Sequence, residues 1–185
     1  MKNKNKLNAF DEYSVYGVNG AKAVLTSDKC RVNKIIASEI FDFKKLDENL
    51  SLKNNYSGKI VVLNNSEFKK KYEDFRSQGI IVFFNYNVLS GLPNFSDNNP
   101  NSCHVILDSI KDPQNLGQII RTSECAGVDG IILPERRSVN VTSSVLQVSQ
   151  GAFCNLDLII SKNIKYTINE LKDIGYWVVG VENSI

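Results

Sequence analysis

Apolar residues fall along the chain in two rhythms, unbroken runs and helical spacings, and the two alternate from one end to the other. The runs VNKIIAS (32–38), KIVVL (59–63) and IIVFF (80–84) predict strands. Asn19 is placed to cap a short helix through Leu25. Ser66 is placed to cap a second helix, SEFKKKYEDFR, in which Phe68, Tyr72 and Phe75 share one face and after which Gly79 ends the segment. Residues 12–89 are therefore expected to form a small α/β unit. An Asn- and Lys-rich tail, 1–11, precedes it and is expected to be disordered. The stretch SGLPNFSDNNPNS (90–102) has a linker's composition, and the boundary between two units is placed there.

The second unit, 103–185, opens with the apolar run CHVILD (103–108) and a polar turn. A helix is expected from about Leu116 to Ala126, with Leu116, Ile119, Ile120 and Ser123 as its inner stripe and Gly127 just past its end. The run DGIILP, ending at Pro134, follows. Strand, helix and strand within so short a stretch favour a parallel βαβ unit. A helix near 166–174 and a strand YWVVGV (176–181) repeat the theme, so an open parallel sheet is predicted.

Composition narrows the chemistry without choosing it. Lys and Arg exceed Asp and Glu by 22 to 20, which permits a polyanionic partner but does not require one. The cysteines Cys30, Cys103, Cys125 and Cys154 are scattered with no CxxC pair, and His104 is the single histidine, so no metal site is expected. A reduced, cytoplasmic protein is expected. The start MKNKNKLNAFDEY lacks the apolar core of a secretory signal, and no apolar stretch approaches the roughly 20 residues that span a bilayer. Neither GxGxxG nor GxxxxGK[ST] occurs, so nothing points to a dinucleotide site or a P-loop.

In an open parallel sheet, ligands sit beyond the carboxyl ends of the strands. Here that place falls to DSIKDPQNLGQIIRT (108–122). Asn115, just ahead of the expected helix, can cap it or reach a substrate. Gly117 permits close approach of a backbone or ligand. Arg121 lies off the apolar stripe and could grip a phosphate, although an exposed helical Arg is most often a solvated charge.

Taken together, DxxxDPxNLGxIxRT (108–122), AGVDGIILPxRRS (126–138) and VSxGA (148–152) resemble the first conserved motif region of the SpoU, or TrmH-like, RNA methyltransferases of the SPOUT superfamily. Upstream, VYGVNGAKAVL (15–25) looks like the start of the small substrate-binding domain of ribosomal-RNA members, so the resemblance runs over about residues 13–181. It implies a small N-terminal α/β substrate-binding domain followed by an incomplete parallel-sheet α/β-knot methyltransferase domain. The implied reaction is methyl transfer from S-adenosylmethionine to a ribose 2′-oxygen, with a guanosine of 23S rRNA in the large subunit as the expected target. By similarity Arg121 and Asn115 are the catalytic residues, and Arg136, Arg137 and Ser138 contact RNA. A guanidinium with pKa above about 12 stays protonated, so Arg121 suits orienting ribose and phosphate better than accepting a proton. Family members also carry a G-S-E-G-like loop and an S-L-N-V-S-like stretch that bind the donor and complete a knot. Neither occurs here. The chain is therefore expected to be C-terminally truncated, to lack the helix through which complete members form homodimers, and to bind S-adenosylmethionine below detection. The alternative function is a catalytically inactive RNA-binding remnant.

Overall fold

A computed structural model of the chain describes residues 12–72, 77–93 and 102–182. The expected tail 1–11, Phe75 and most of the expected linker lie outside the described residues. In chain order the first elements are β1 (Glu12–Tyr16), α1 (Val18–Thr26), β2 (Cys30–Ser38), α2 (Ser51–Asn55), β3 (Ile60–Leu63), α3 (Asn65–Tyr72) and β4 (Ile80–Tyr86). Then come β5 (Leu89–Ser90), β6 (His104–Ile106), α4 (Pro113–Cys125), β7 (Gly130–Pro134), α5 (Ser143–Val148), β8 (Asp157–Ser161) and α6 (Ile164–Asp173). The strands form two sheets, ordered β1-β4-β2-β3 and β5-β8-β7-β6. In the first, β4 lies antiparallel between β1 and β2, and β3 joins β2 in parallel. Every pairing in the second is parallel, as the alternation of runs and helices predicts.

Several boundaries differ from the sequence expectation, each for a local reason. Strand β1 was not anticipated, because EYSVY carries only two fully buried residues, Tyr13 and Val15, between exposed and half-buried ones. Helix α1 starts at Val18, not after Asn19. Its cap is Gly17 at φ +84, a conformation that disfavours side chains, and the Val18 N–H is satisfied from outside by Gln78 Oε1 at 2.9 Å. Likewise Asn64, not Ser66, caps α3, its Oδ1 accepting from the Glu67 N–H at 2.8 Å. Leu89 and Ser90 stand at the edge between the expected first unit and the expected linker. They pair with Ile159 and Ile160 of β8, so the second sheet already begins there.

The expected strand YWVVGV does not form. Tyr176 is anchored beside β6, its hydroxyl donating to Ser102 Oγ at 2.7 Å and its ring 5.7 Å from that of His104. Beyond it Trp177, Val179 and Val181 are 96%, 83% and 97% exposed. Apolar alternation makes a strand only where a neighbour takes up its N–H and C=O groups, and no described strand does so here.

One apolar core runs through both sheets. Val15, Val24, Ile35, Val82 and Phe84 from the first sheet and α1 meet Leu116, Ile120, Ile131, Leu133, Val145 and Phe153 from the second sheet and the helices and turn packed on it. Phe153 is fully buried, stacked on Phe84 at 5.8 Å and edge-on to Tyr86 at 5.1 Å. Polar ties reinforce the contact. Gln147 of α5 accepts from the Tyr16 N–H at 2.7 Å and donates to the Tyr16 carbonyl at 3.0 Å, satisfying the outer edge of β1. Nearby, Ser143 Oγ accepts from the Ser14 N–H at 3.0 Å. Lys29 and Asp157 form an ion pair at 2.7 Å, and the Tyr86 hydroxyl donates to the Phe153 carbonyl.

Candidate active site

Strands β6, β7 and β8 run parallel, so their carboxyl ends open on one side of the sheet. The loops there are 107–112 after β6, 135–142 after β7 and 162–163 after β8. Backbone hydrogen bonds lace them together. The Val139 N–H donates to the Ile110 carbonyl at 2.7 Å and the Glu135 N–H to the Ser161 carbonyl at 2.8 Å. Two residues are left-handed, Ser109 at φ +59 and Arg137 at φ +67. Positive φ at non-glycine residues is costly and persists where the surroundings over-determine it.

Helix α4 leaves this end of the sheet. Its cap is Asp112, which accepts from the Gln114 N–H at 2.9 Å, and Pro113 takes the first helical position, where no amide proton is needed. Asn115 is therefore inside the first turn and not the cap; the sequence signal overlooked was Asp-Pro itself. The expected inner stripe holds at Leu116, Ile120 and Ser123, with Ile119 packed at its margin. Gly117 is buried, and a Cβ there would lie 2.5 Å from Val148 Cβ and 2.9 Å from the Val145 carbonyl oxygen. The close approach expected at this glycine is thus to α5, not to a ligand.

Asn115 and Arg121 are both exposed on α4. Six residues separate them, about 9 Å of helical rise and about 120° of azimuth, so they do not form a side-by-side pair. Arg136 and Arg137 are exposed just past β7. No ion pair engages any of these three arginines among the described residues. Ser138 is half-buried, and its hydroxyl donates to the Ile110 carbonyl at 2.8 Å. It fastens the Arg136–Arg137 loop to the loop after β6, a bracing role that sequence alone did not suggest. Arg136 and Arg137 thus place two cations on a loop fixed by backbone bonds, with Arg121 further along α4, an arrangement that suits a polyanion's phosphates.

His104 sits at the opposite end of β6. Burial holds its imidazole below the ordinary range, against the raising influence of Asp129 and Asp157. It packs against the Gly130 backbone, where a Cβ would come within 2.8 Å of its ring. This agrees with a structural role, and no cluster of metal-ligating residues occurs among the described ones. Cys30 and Cys154, distant in sequence, lie with sulfurs 3.8 Å apart in the buried contact between the sheets. The thiol–thiol hydrogen bond lowers the Cys30 pKa and raises that of Cys154.

The comparisons with known proteins fall on these elements. The model of the SpoU rRNA Methylase family matches residues 102–184, the whole of β6 through α6. A TrmH family tRNA/rRNA methyltransferase of Staphylococcus saprophyticus is 34% identical over 179 residues, covering 93% of this chain and 70% of that protein. A Staphylococcus aureus relative of the same description is 37% identical over 159 residues, of which the chain spans 62%. Among solved structures, the SpoU methyltransferase AviRb from Streptomyces viridochromogenes, in complex with the cofactor AdoMet, superposes with TM-score 0.69 at 15% identity. The match takes in 93% of this chain and 62% of that one. An RNA methyltransferase of the TrmH family from Porphyromonas gingivalis gives 0.64 at 23% identity, with 89% and 60% covered. At such identities the structures speak for the fold alone.

S-adenosylmethionine is the cofactor of this family, and AdoMet is the donor bound in the AviRb complex. No buried side-chain polar atom among the described residues of this chain lacks a partner, and the spaces beside Gly117, Gly130 and Gly151 are filled by the chain's own atoms. Sequence identity, the matching family model and the shared parallel-sheet architecture agree, and the chain belongs to the SpoU/TrmH family of RNA methyltransferases.

Proposed function

We propose that the chain provides the RNA-holding side of a ribose 2′-O-methyltransferase that acts on a guanosine of 23S rRNA, in the cytoplasm. One observation carries this reading. Arg121, Arg136 and Arg137 are all exposed and, among the described residues, without ion-pair partners, the latter two on a loop fastened at the carboxyl ends of a parallel sheet and Arg121 further along α4. In it Arg121 holds the target ribose and its phosphate, Asn115 orients them, and Arg136 and Arg137 hold flanking phosphates while Ser138 steadies their loop. The small N-terminal unit that holds the first sheet adds recognition of RNA shape. Arg121 acts as a fixed positive charge, because a guanidinium does not release its proton near neutral pH. Aligning the reacting groups is where such a site gains most of its rate.

Filter binding of 23S rRNA fragments across a salt series tests the reading. Affinity is expected to fall as salt rises, and Arg121→Ala, Arg136→Ala and Arg137→Ala are each expected to flatten that dependence by about 0.7–0.9 in log–log slope. Absence of RNA binding overturns the proposal. Tritiated AdoMet then separates the remaining readings. Alkali-stable label at a guanosine establishes the 2′-O-methyltransferase directly. Label on a base refutes the ribose assignment. RNA retained without label identifies an RNA-binding relative without catalysis, and a homodimer that binds RNA equally well requires the partner in the site to be mapped.

A further inference from the structure

A second feature lies well away from the arginine loops. On the first sheet, a half-open cavity of about 620 Å³ lies between the end of β2, the start of α3 and the turn leading into β4. Its walls combine three chemistries. Phe41, Phe68 and Tyr72 give aromatic surface, Lys45 and Lys69 stand exposed at the rim, and Asn65 offers a side-chain amide. Phe68 and Tyr72 are one turn apart on α3 with rings 5.3 Å apart, and Lys71 lies 5.6 Å above the Tyr72 ring. Two carboxylates among the described residues of this region are committed to the backbone. Glu39 accepts from the Asn65 N–H at 2.9 Å, and Asp42 accepts from the Lys44 N–H at 3.0 Å.

An apolar ligand would leave the lysines and the amide unused, and a simple anion would not need the rings. One ligand class uses all three. A base unstacked from single-stranded RNA offers a π-face for the aromatics, an edge for the amide and a phosphate for each lysine. We propose that this cavity captures one unstacked nucleotide of the RNA substrate, with its base against Tyr72 and its flanking phosphates on Lys45 and Lys69. The inference rests on the RNA-binding reading above and deepens it, since it gives the first sheet a defined contact.

The test measures binding of a fluorescein-labelled single-stranded RNA hexamer to the full chain. Lys45→Gln and Lys69→Gln change only exposed positions and are each expected to lower the salt slope by about 0.7. Tyr72→Leu keeps an apolar group in the wall while removing the ring, and is expected to weaken binding at least about fivefold. Its melting temperature is measured alongside, and Lys172→Gln on α6 should bind like the parent. A duplex of equal length should gain nothing from the cavity, so its affinity should be indifferent to Tyr72→Leu. If the parent chain binds the hexamer and all three cavity variants bind equally well, the cavity proposal is wrong while the RNA-binding reading stands. If the parent binds no RNA, both fail. Displacement of the hexamer by free GMP at millimolar concentration would also overturn it, since the cavity would then be a mononucleotide site.

Discussion

Gly151 offers the sharpest probe of how the two sheets are held together. It stands at φ +96, and a Cβ placed on it would lie 2.3 Å from the Cβ of Ala23 on α1. Ordinary carbon–carbon contacts lie near 3.5–4.0 Å, so Gly151→Ala forces an overlap of more than about 1 Å between the two halves of the core. Overpacking of this kind costs about 1–3 kcal/mol, and holding a non-glycine residue at such a φ costs about 1–3 kcal/mol more. The sum, about 2–6 kcal/mol, is a large part of a typical domain stability of about 5–15 kcal/mol. With an m-value of about 2 kcal/mol/M, urea denaturation should show a midpoint lowered by about 1–3 M. A double-mutant cycle with Ala23→Gly divides the loss. That change alone costs about 1 kcal/mol of helix propensity, but in the double variant it removes the overlap and should recover about 1–3 kcal/mol of coupling. An unmoved midpoint in Gly151→Ala, or strict additivity in the cycle, would refute the close docking of α1 on the Ala152–Cys154 turn.

Phe153→Ala should cost about 3–5 kcal/mol and sharply raise dye binding to exposed apolar surface, because the ring is fully buried between Phe84 and Tyr86. Gln147→Ala should cost about 1–3 kcal/mol and accelerate hydrogen exchange at the Tyr16 amide, which loses its partner. Asp112→Ala should cost about 1 kcal/mol and leave exchange in α1 unchanged. For His104, burial lowers the folded pKa below the ordinary value of about 6.5, so the unfolded chain binds a proton first as pH falls. Stability is then complete above about pH 6.5 and declines as pH drops through that value toward the folded pKa. Denaturation midpoints across this window should fall for the parent chain and fall less for His104→Asn.

Much of the architecture could be read from residue spacing, and its failures share a cause. The long elements β2, β4 and α4 declare themselves because their buried faces are continuous, as with Leu116, Ile120 and Ser123. Strands β1 and β5 escape notice because partners far along the chain complete them, Gln147 for the first and Ile159 for the second. The converse holds at 176–181, where the alternation is sound but no partner strand accompanies it. Caps are misplaced when a residue before the obvious one has the better geometry, as with Asp112 over Asn115 and Gly17 over Asn19. The arginines of the candidate site are visible in the motif. The bracing by Ser138 is not, since it depends on a carbonyl 28 residues away. The aromatic and lysine residues around the cavity were likewise unremarkable as sequence. Phe68 and Tyr72 read as a core stripe, and only the fold shows that their outer surface borders open space.

The amide of Gln147 has a consequence for how the two sheets are held relative to one another. By giving and receiving a hydrogen bond at Tyr16, it does for the rim of the first sheet what one peptide unit of an added strand would do. Pulling the sheets apart would uncover that rim together with the shared core, so a hinge at this junction is energetically unattractive. On the RNA-holding reading proposed above, the interval between the cavity beside α3 and the arginine loop beyond β7 would then act as a gauge of fixed span. An RNA would have to bring its extruded nucleotide and its target ribose to that span by bending itself, and selectivity would lie in how easily each RNA can bend.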